Sequence, residues 1–174
     1  MLTFIIGGAR SGKTALAQSL CPPESRVVYV ATMRAEDDEL RQRIRRHRSN
    51  RPTGWSTIEE PLAIAAAVRR ASVEFDSIVL DCLTLWLSNF CWEHRECDAE
   101  ELERRALAEA EDLGRACGGA HLIVVSNEVG CSIVPENALA RSFRDLQGWV
   151  NQTIARAADE VWQTVAGIPV RIKG

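Results

Sequence analysis

"FIIGGARSGKTALAQSL", residues 4–20, decides how the rest of the chain is read. Within it Gly7 and Gly12 flank four residues, Gly8, Ala9, Arg10 and Ser11, and Lys13 and Thr14 follow directly. An apolar β-branched run precedes the glycines and an Ala/Leu-rich run follows them. That strand–loop–helix setting is the one a Walker A phosphate loop needs. The glycines let the backbone turn its N–H groups inward around phosphate oxygens. The start of the helix adds partial positive charge, Lys13 is placed to reach β and γ phosphates, and the Thr14 hydroxyl is placed to ligate Mg²⁺. The chain has 19 arginines but only two lysines, Lys13 and Lys173. A lysine at this position in so arginine-rich a chain weighs against the bland reading, a glycine turn with no ligand.

Outward from the loop, strand-like and helix-like segments alternate, which predicts an α/β fold with a mostly parallel central sheet flanked by helices. Residues 2–6, 26–32, 76–81 and 120–127 are continuous apolar runs, as expected of strands covered on both faces. Residues 160–167 and 168–173 read as a C-terminal β-hairpin, with Gly167 and Pro169 at its turn. Helices are expected over 14–20, 36–48, 60–71 with Pro61 in its first turn, 98–117 with Asp98 as N-cap, and most of 137–159. With no repeat, linker or low-complexity tract, residues 1–174 read as one domain.

Asp81 closes the apolar run "SIVLD". A carboxylate at the C-terminal edge of a strand is the Walker B arrangement, holding Mg²⁺ directly or through water. An aspartate there is also a plausible N-cap for "CLTLWL". Thr32 and Asn127-Glu128 end other strands and are expected to face the same crevice.

Bulk properties narrow the classes. A net charge of −3 and a pI of about 5.7 do not suggest general nucleic-acid or membrane-surface binding. No apolar stretch reaches membrane-spanning length, and "MLTFII" has no basic segment before it, so a cytoplasmic protein is expected. The six cysteines form no CxxC pair and read as reduced thiols. Cys91, His94 and Cys97 recur every third residue; a structural or incidental role is favoured over a metal site, because no fourth ligand is evident.

One segment runs against the acidic background. "RQRIRRHRSNR", residues 41–51, holds six arginines and His47. On a helix this charge encircles the axis, and like charges at such spacings repel. Three readings stand: a solvated helix partly neutralised by the acids at 36–39, a site for a triphosphate or other anionic substrate, and a nucleic-acid contact. His47 is then an incidental residue, a general base or a nucleophile. Flanking arginines disfavour the imidazolium and leave a neutral, nucleophilic nitrogen.

Taken with "YVAT" at 29–32, "RIRRHRSNRP" from 43, "LDCLTLWLSN" at 80–89, "VSNEVGCSIVPEN" at 125–137 and "VAGIPVRIK" at 165–173, the chain resembles a known family. It is the bifunctional adenosylcobinamide kinases/adenosylcobinamide-phosphate guanylyltransferases of cobalamin biosynthesis. The resemblance runs essentially end to end. It implies a RecA-like P-loop NTPase domain assembled as a homotrimer. It implies phosphorylation of the aminopropanol hydroxyl of adenosylcobinamide with ATP or GTP. Transfer of GMP from GTP to that phosphate follows, through a guanylyl-histidine intermediate on His47. It also implies nucleotide contacts from Gly7 to Thr14, from Ala31, Thr32 and Met33, from Arg48, Ser49, Asn50 and Arg51, and from Glu59 and Asp81. Lys13 joins His47 as catalytic, and Thr14 and Asp81 hold Mg²⁺. No nucleic-acid partner and no membrane span are expected. A monofunctional small-molecule P-loop kinase and a nucleic-acid-stimulated NTP-binding module are the alternatives.

Overall fold

The structure, a computed structural model, describes residues 1–34 and 52–174. Each apolar run identified above is a strand: β1 (Leu2–Gly7), β2 (Val27–Ala31), β4 (Ser77–Asp81) and β5 (His121–Asn127). The C-terminal pair is β6 (Glu160–Val165) and β7 (Ile168–Lys173). Among the described residues these strands and β3 (Ser56–Glu59) form one sheet, in the order β3-β2-β4-β5-β1-β6-β7. All neighbours pair in parallel except β6 and β7, which are antiparallel. The expected mostly parallel sheet with a terminal hairpin is therefore present. The strand β3 was not anticipated: "STIE" carries no apolar run, and it pairs only with β2 at the sheet margin.

Parallel strands need crossover helices, and these supply the two covering layers. The helices are α1 (Lys13–Ser19), α2 (Ile64–Ala71), α3 (Leu83–Glu93), α4 (Ala99–Gly114) and α5 (Ala138–Ala157). Each continuous strand sends alternate residues to two cores. Ile78 and Leu80 of β4 join Leu122, Val124, Leu2 and Phe4 against α2 to α5. Val79 between them joins Ile5, Ile123 and Val125 against Ala17 of α1. Burial on both faces is why these strands read as unbroken apolar runs. Trp86 of α3 is fully buried in the larger core, and its indole N–H donates to Leu62 O at 2.8 Å.

Helix ends follow side-chain chemistry. Asp98 caps α4 by accepting from the Glu101 N–H at 2.8 Å, as expected, and Asn137 caps α5 the same way through Ala140. Helix α2 begins at Ile64, later than the expected 60. Glu60 extends the β2 ladder through Ala31 O, and its carboxylate accepts from the Leu62 and Ala63 N–H groups, so the chain turns before it coils. The β6–β7 turn is Ala166-Gly167, both at positive φ (51° and 81°), which suits a two-residue hairpin. Pro169 is not in that turn. It lies in β7 opposite Thr164, on an edge strand where its missing N–H is tolerated.

Candidate active site

The phosphate loop leaves β1 at Gly7 and enters α1 at Lys13, with Gly12 at φ 101° as the junction. Lys13 is buried, and its ammonium donates to the carbonyls of Gly7 (3.0 Å) and Gly8 (2.6 Å). Burial lowers its pKa, and the charge of Asp81 opposes that shift in part. Among the described residues, the desolvated ammonium is balanced by carbonyl dipoles and the nearby Asp81 carboxylate. A phosphate oxygen carrying a full charge would be a better partner.

Strand β5 lies between β1 and β4, yet the loop reaches Asp81 at the tip of β4. The Thr14 hydroxyl donates to Asp81 Oδ2 at 3.0 Å, and the Tyr29 hydroxyl donates to the same oxygen at 2.7 Å. The N-cap reading of Asp81 is overturned. Cys82 occupies the N-cap position of α3, and the Asp81 carboxylate turns instead toward Thr14 and Tyr29. The Cys82 backbone is fixed by Thr32, whose hydroxyl donates to Cys82 O (2.8 Å) and accepts from Cys82 N–H (3.0 Å). Burial, reinforced by Asp81, pushes the Cys82 thiol up to about 12, which leaves it inert as a nucleophile.

The C-terminal hairpin braces the loop from the other side, a role the sequence did not disclose. Thr164 stands opposite Gly7 in the β1–β6 register, and its hydroxyl is 2.7 Å from the buried Ser11 hydroxyl. The Gly167 N–H donates to Ser11 O at 2.9 Å. A Cβ at Gly7 would meet Thr164 O at 2.5 Å, and one at Gly12 would meet Gly167 Cα at 3.1 Å. Close approach requires glycine at Gly7, and at Gly12 a tight approach adds to the positive φ. At its far end the hairpin is tied down by Lys173, whose ammonium donates to the carbonyls of Ala155, Arg156 and Ala158. The two lysines therefore do different work, one in the loop and one closing the C-terminus of α5. Behind the tip of β5, Asn151 accepts from Ser126 and Gln147 and donates to Asn127 O, fixing the strand end. The contacts of Tyr29, Thr164, Gly167 and Asn151 with the loop and the strand tips had no local sequence signal; only the tertiary arrangement reveals them.

The remaining expected residues fall into two groups. Ala31, Thr32 and Met33 leave the end of β2, and Glu59 ends β3 opposite Ala31, all at the same sheet edge as Asp81. His47, Arg48, Ser49, Asn50 and Arg51, with the helix expected over 36–48, lie outside the described residues. His94 packs its ring on Phe90, with centroids 4.4 Å apart, and His121 hydrogen-bonds Thr3 at 2.9 Å at the opposite edge of the sheet.

The donor set suits Mg²⁺. Thr14 and Asp81 bring a hydroxyl and a carboxylate, both hard oxygen ligands, to within 3.0 Å of each other beside the loop. Among the described residues no group of three or more His, Cys, Asp or Glu is placed to cage a metal. Mg²⁺ in such sites keeps waters and phosphate oxygens and needs few protein ligands. Beside the loop, an open cleft of about 470 Å³ is bounded by Gly8 to Ser11, by Glu128, Val129, Cys131 and Ser132, and by Gln163 to Ala166.

Comparison with known proteins gives a consistent set of likenesses. The family model described as cobinamide kinase / cobinamide phosphate guanyltransferase matches residues 3–172. The bifunctional adenosylcobalamin biosynthesis protein CobP of Pseudomonas aeruginosa is 44% identical over 177 residues, covering 100% of this chain and 98% of the relative. The bifunctional adenosylcobalamin biosynthesis proteins CobU of Salmonella typhimurium and Escherichia coli are 40% and 39% identical. Each alignment covers 99% of this chain and 100% of the relative.

Proposed function

The chain belongs to the cobinamide kinase / cobinamide phosphate guanyltransferase family, and on that premise we propose that it carries out both reactions on adenosylcobinamide. The first phosphorylates the aminopropanol hydroxyl with ATP or GTP. The second transfers GMP from GTP to the new phosphate and gives adenosylcobinamide-GDP.

The observation that carries the kinase half is the Lys13–Thr14–Asp81 constellation. Lys13 is desolvated against loop carbonyls and is available to move its ammonium onto β and γ phosphate oxygens. The loop from Gly7 to Thr14 holds the phosphates with its N–H groups, and Tyr29 and Thr14 fix the Asp81 carboxylate. Mg²⁺, held by Thr14 and Asp81, would neutralise charge on the phosphates. Phosphoryl transfer asks little covalent chemistry of the protein, so a rigidly braced loop accounts for most of what is needed.

For the second reaction His47 attacks the α-phosphorus of GTP and pyrophosphate leaves. The phosphate of the acceptor then attacks the same phosphorus and frees His47. Arginines between 41 and 51 supply the positive charge that the phosphates and the transition state require. Ala31, Thr32, Met33, Arg48, Ser49, Asn50, Arg51 and Glu59 complete the nucleotide contacts. The protein works as a single domain in a cytoplasmic homotrimer and needs no nucleic acid.

Incubation with α-labelled GTP tests the covalent half. The wild type is expected to retain acid-labile, base-stable label, and His47→Ala to retain none. Absence of label on the wild type returns the monofunctional kinase, and undiminished label on His47→Ala moves the nucleophile elsewhere.

A further inference from the structure

The kinase reaction needs a group on the acceptor side of the loop, one that orients an alcohol and receives its proton. Asp81 is already engaged by Thr14 and Tyr29 on the metal side. Glu128 is the carboxylate that borders the loop elsewhere. Its backbone N–H donates to Gly7 O at 3.1 Å, so its position is locked to the first residue of the loop. Its side chain lines the cleft that it shares with Gly8 to Ser11. One carboxylate oxygen, Oε1, accepts from the Gly130 N–H, which sets the orientation of the group. The other, Oε2, makes no hydrogen bond among the described residues.

We propose that Glu128 is the catalytic residue for the acceptor alcohol, and that the cleft between the loop, residues 128–132 and residues 163–166 receives the alcohol-bearing arm. The assignment rests on the kinase reading above and adds to it the acceptor's place. A volume of about 470 Å³ admits a short amino-alcohol arm but not a corrin ring, which stays outside its open mouth. Gln163 and Ser132 add polar groups along the walls, and Arg10 adds a cation.

In the step itself the acceptor oxygen bonds to the γ-phosphorus while that phosphorus loses its bond to the β,γ-bridging oxygen. The hydroxyl proton passes to Glu128 Oε2, the broken bond's electron pair leaves on the nucleoside diphosphate, and Glu128 returns the proton to solvent. Orientation of the hydroxyl and acceptance of its proton are the whole of the role.

The test compares wild type, Glu128→Gln and Glu128→Asp with adenosylcobinamide as acceptor and γ-labelled ATP or GTP as donor. Glu128→Gln is expected to lower kcat about a hundredfold with either donor, with the KM for nucleotide changed by less than about twofold. Glu128→Asp recovers part of the loss. Thermal stabilisation by ATP, equal in wild type and variant, shows that fold and nucleotide binding survive. A kcat within about threefold of wild type overturns the proposal. So does a rise in KM for GTP but not ATP, which would assign Glu128 to the guanine base. A second readout uses Cys131, an exposed thiol on the cleft wall. Saturating adenosylcobinamide should slow its alkylation by N-ethylmaleimide, followed by peptide mass spectrometry. Unchanged alkylation overturns the placement of the arm. If the wild type phosphorylates no adenosylcobinamide, the kinase reading itself fails, and that result is distinct from a Glu128 variant that works normally.

Discussion

Strand β4 is bracketed by two aspartates, and their surroundings differ in kind. Asp76, just before its first residue, takes three hydrogen bonds from Arg26: one from the backbone N–H and two from the guanidinium. That pairing holds its carboxyl at about 2, well below the ordinary 3.8. Asp81, at the other end, receives two hydroxyl hydrogen bonds and, among the described residues, forms no ion pair, with the Lys13 ammonium near enough to feel its charge. The first aspartate is neutralised by the Arg26 guanidinium in direct contact with it. The second is held in place, among the described residues, by hydroxyls that carry no charge, which suits a carboxylate that takes up a ligand. The same contrast holds for the sheet as a whole. At the Asp76 edge, Leu2 N–H meets Asp159 and Thr3 meets His121. At the Asp81 edge, Lys13 is desolvated against carbonyls, and Glu128 keeps an oxygen with no hydrogen bond among the described residues.

Exchanging the charges at the two edges is the most direct way to break this contrast. Lys13→Ala and Asp81→Asn are expected to lower the kinase rate about a thousandfold, while Asp76→Asn leaves it unchanged. Steady-state assays on adenosylcobinamide decide this, and a comparable loss for Asp76→Asn would erase the distinction. Tyr29→Phe sharpens it. Removing one hydroxyl from Asp81 should raise the Mg²⁺ concentration for half-maximal rate about tenfold and weaken Mn²⁺ binding seen by electron paramagnetic resonance. Thr164→Val tests the brace of the loop. Loss of its hydrogen bond to Ser11, worth about 1 kcal/mol, predicts a nucleotide KM about fivefold higher, recovered by Thr164→Ser.

The smallest effect belongs to the Asp76 edge and is a matter of stability. A carboxyl whose pKa is depressed on folding contributes stability above its unfolded value, and that contribution disappears as pH falls through the folded one. For Asp76 the window runs from 3.8 down to about 2. Asp76→Asn should flatten the acid limb of a denaturation curve in that window and change nothing at neutral pH beyond the small worth of an exposed pair.

The strands were legible because parallel strands buried on both faces must be apolar at every position, and "SIVL" or "LIVV" says so without context. Strand β3 was not, since "STIE" sits at the margin of the sheet and is polar where it is exposed. Asp81 was ambiguous for a different reason. An aspartate between a strand and a helix satisfies the grammar of a cap and of a metal ligand equally, and only its distances to Thr14 and Tyr29 separate them. Pro169 was placed in the turn because proline favours turns; the hairpin register puts it on an edge, where proline is equally at ease. The kinship itself was carried by blocks such as "GGARSGKT" and "SNEVG", and the likeness over residues 3–172 agrees with it.

By itself the sequence determined the α/β alternation, the loop from Gly7 to Thr14, and the candidacy of Lys13, Asp81 and His47. These follow from local rules: periodicity, glycine placement and charge. Only the tertiary structure decided that Asp81 faces Thr14 and not the start of α3, that Tyr29 holds it, and that the C-terminal hairpin presses Thr164 and Gly167 onto the loop. Those contacts join residues from 52 to 157 positions apart, counted from Tyr29–Asp81 and Gly7–Thr164. They exist because parallel pairing brings the ends of distant strands to one edge, a geometry that no local pattern encodes.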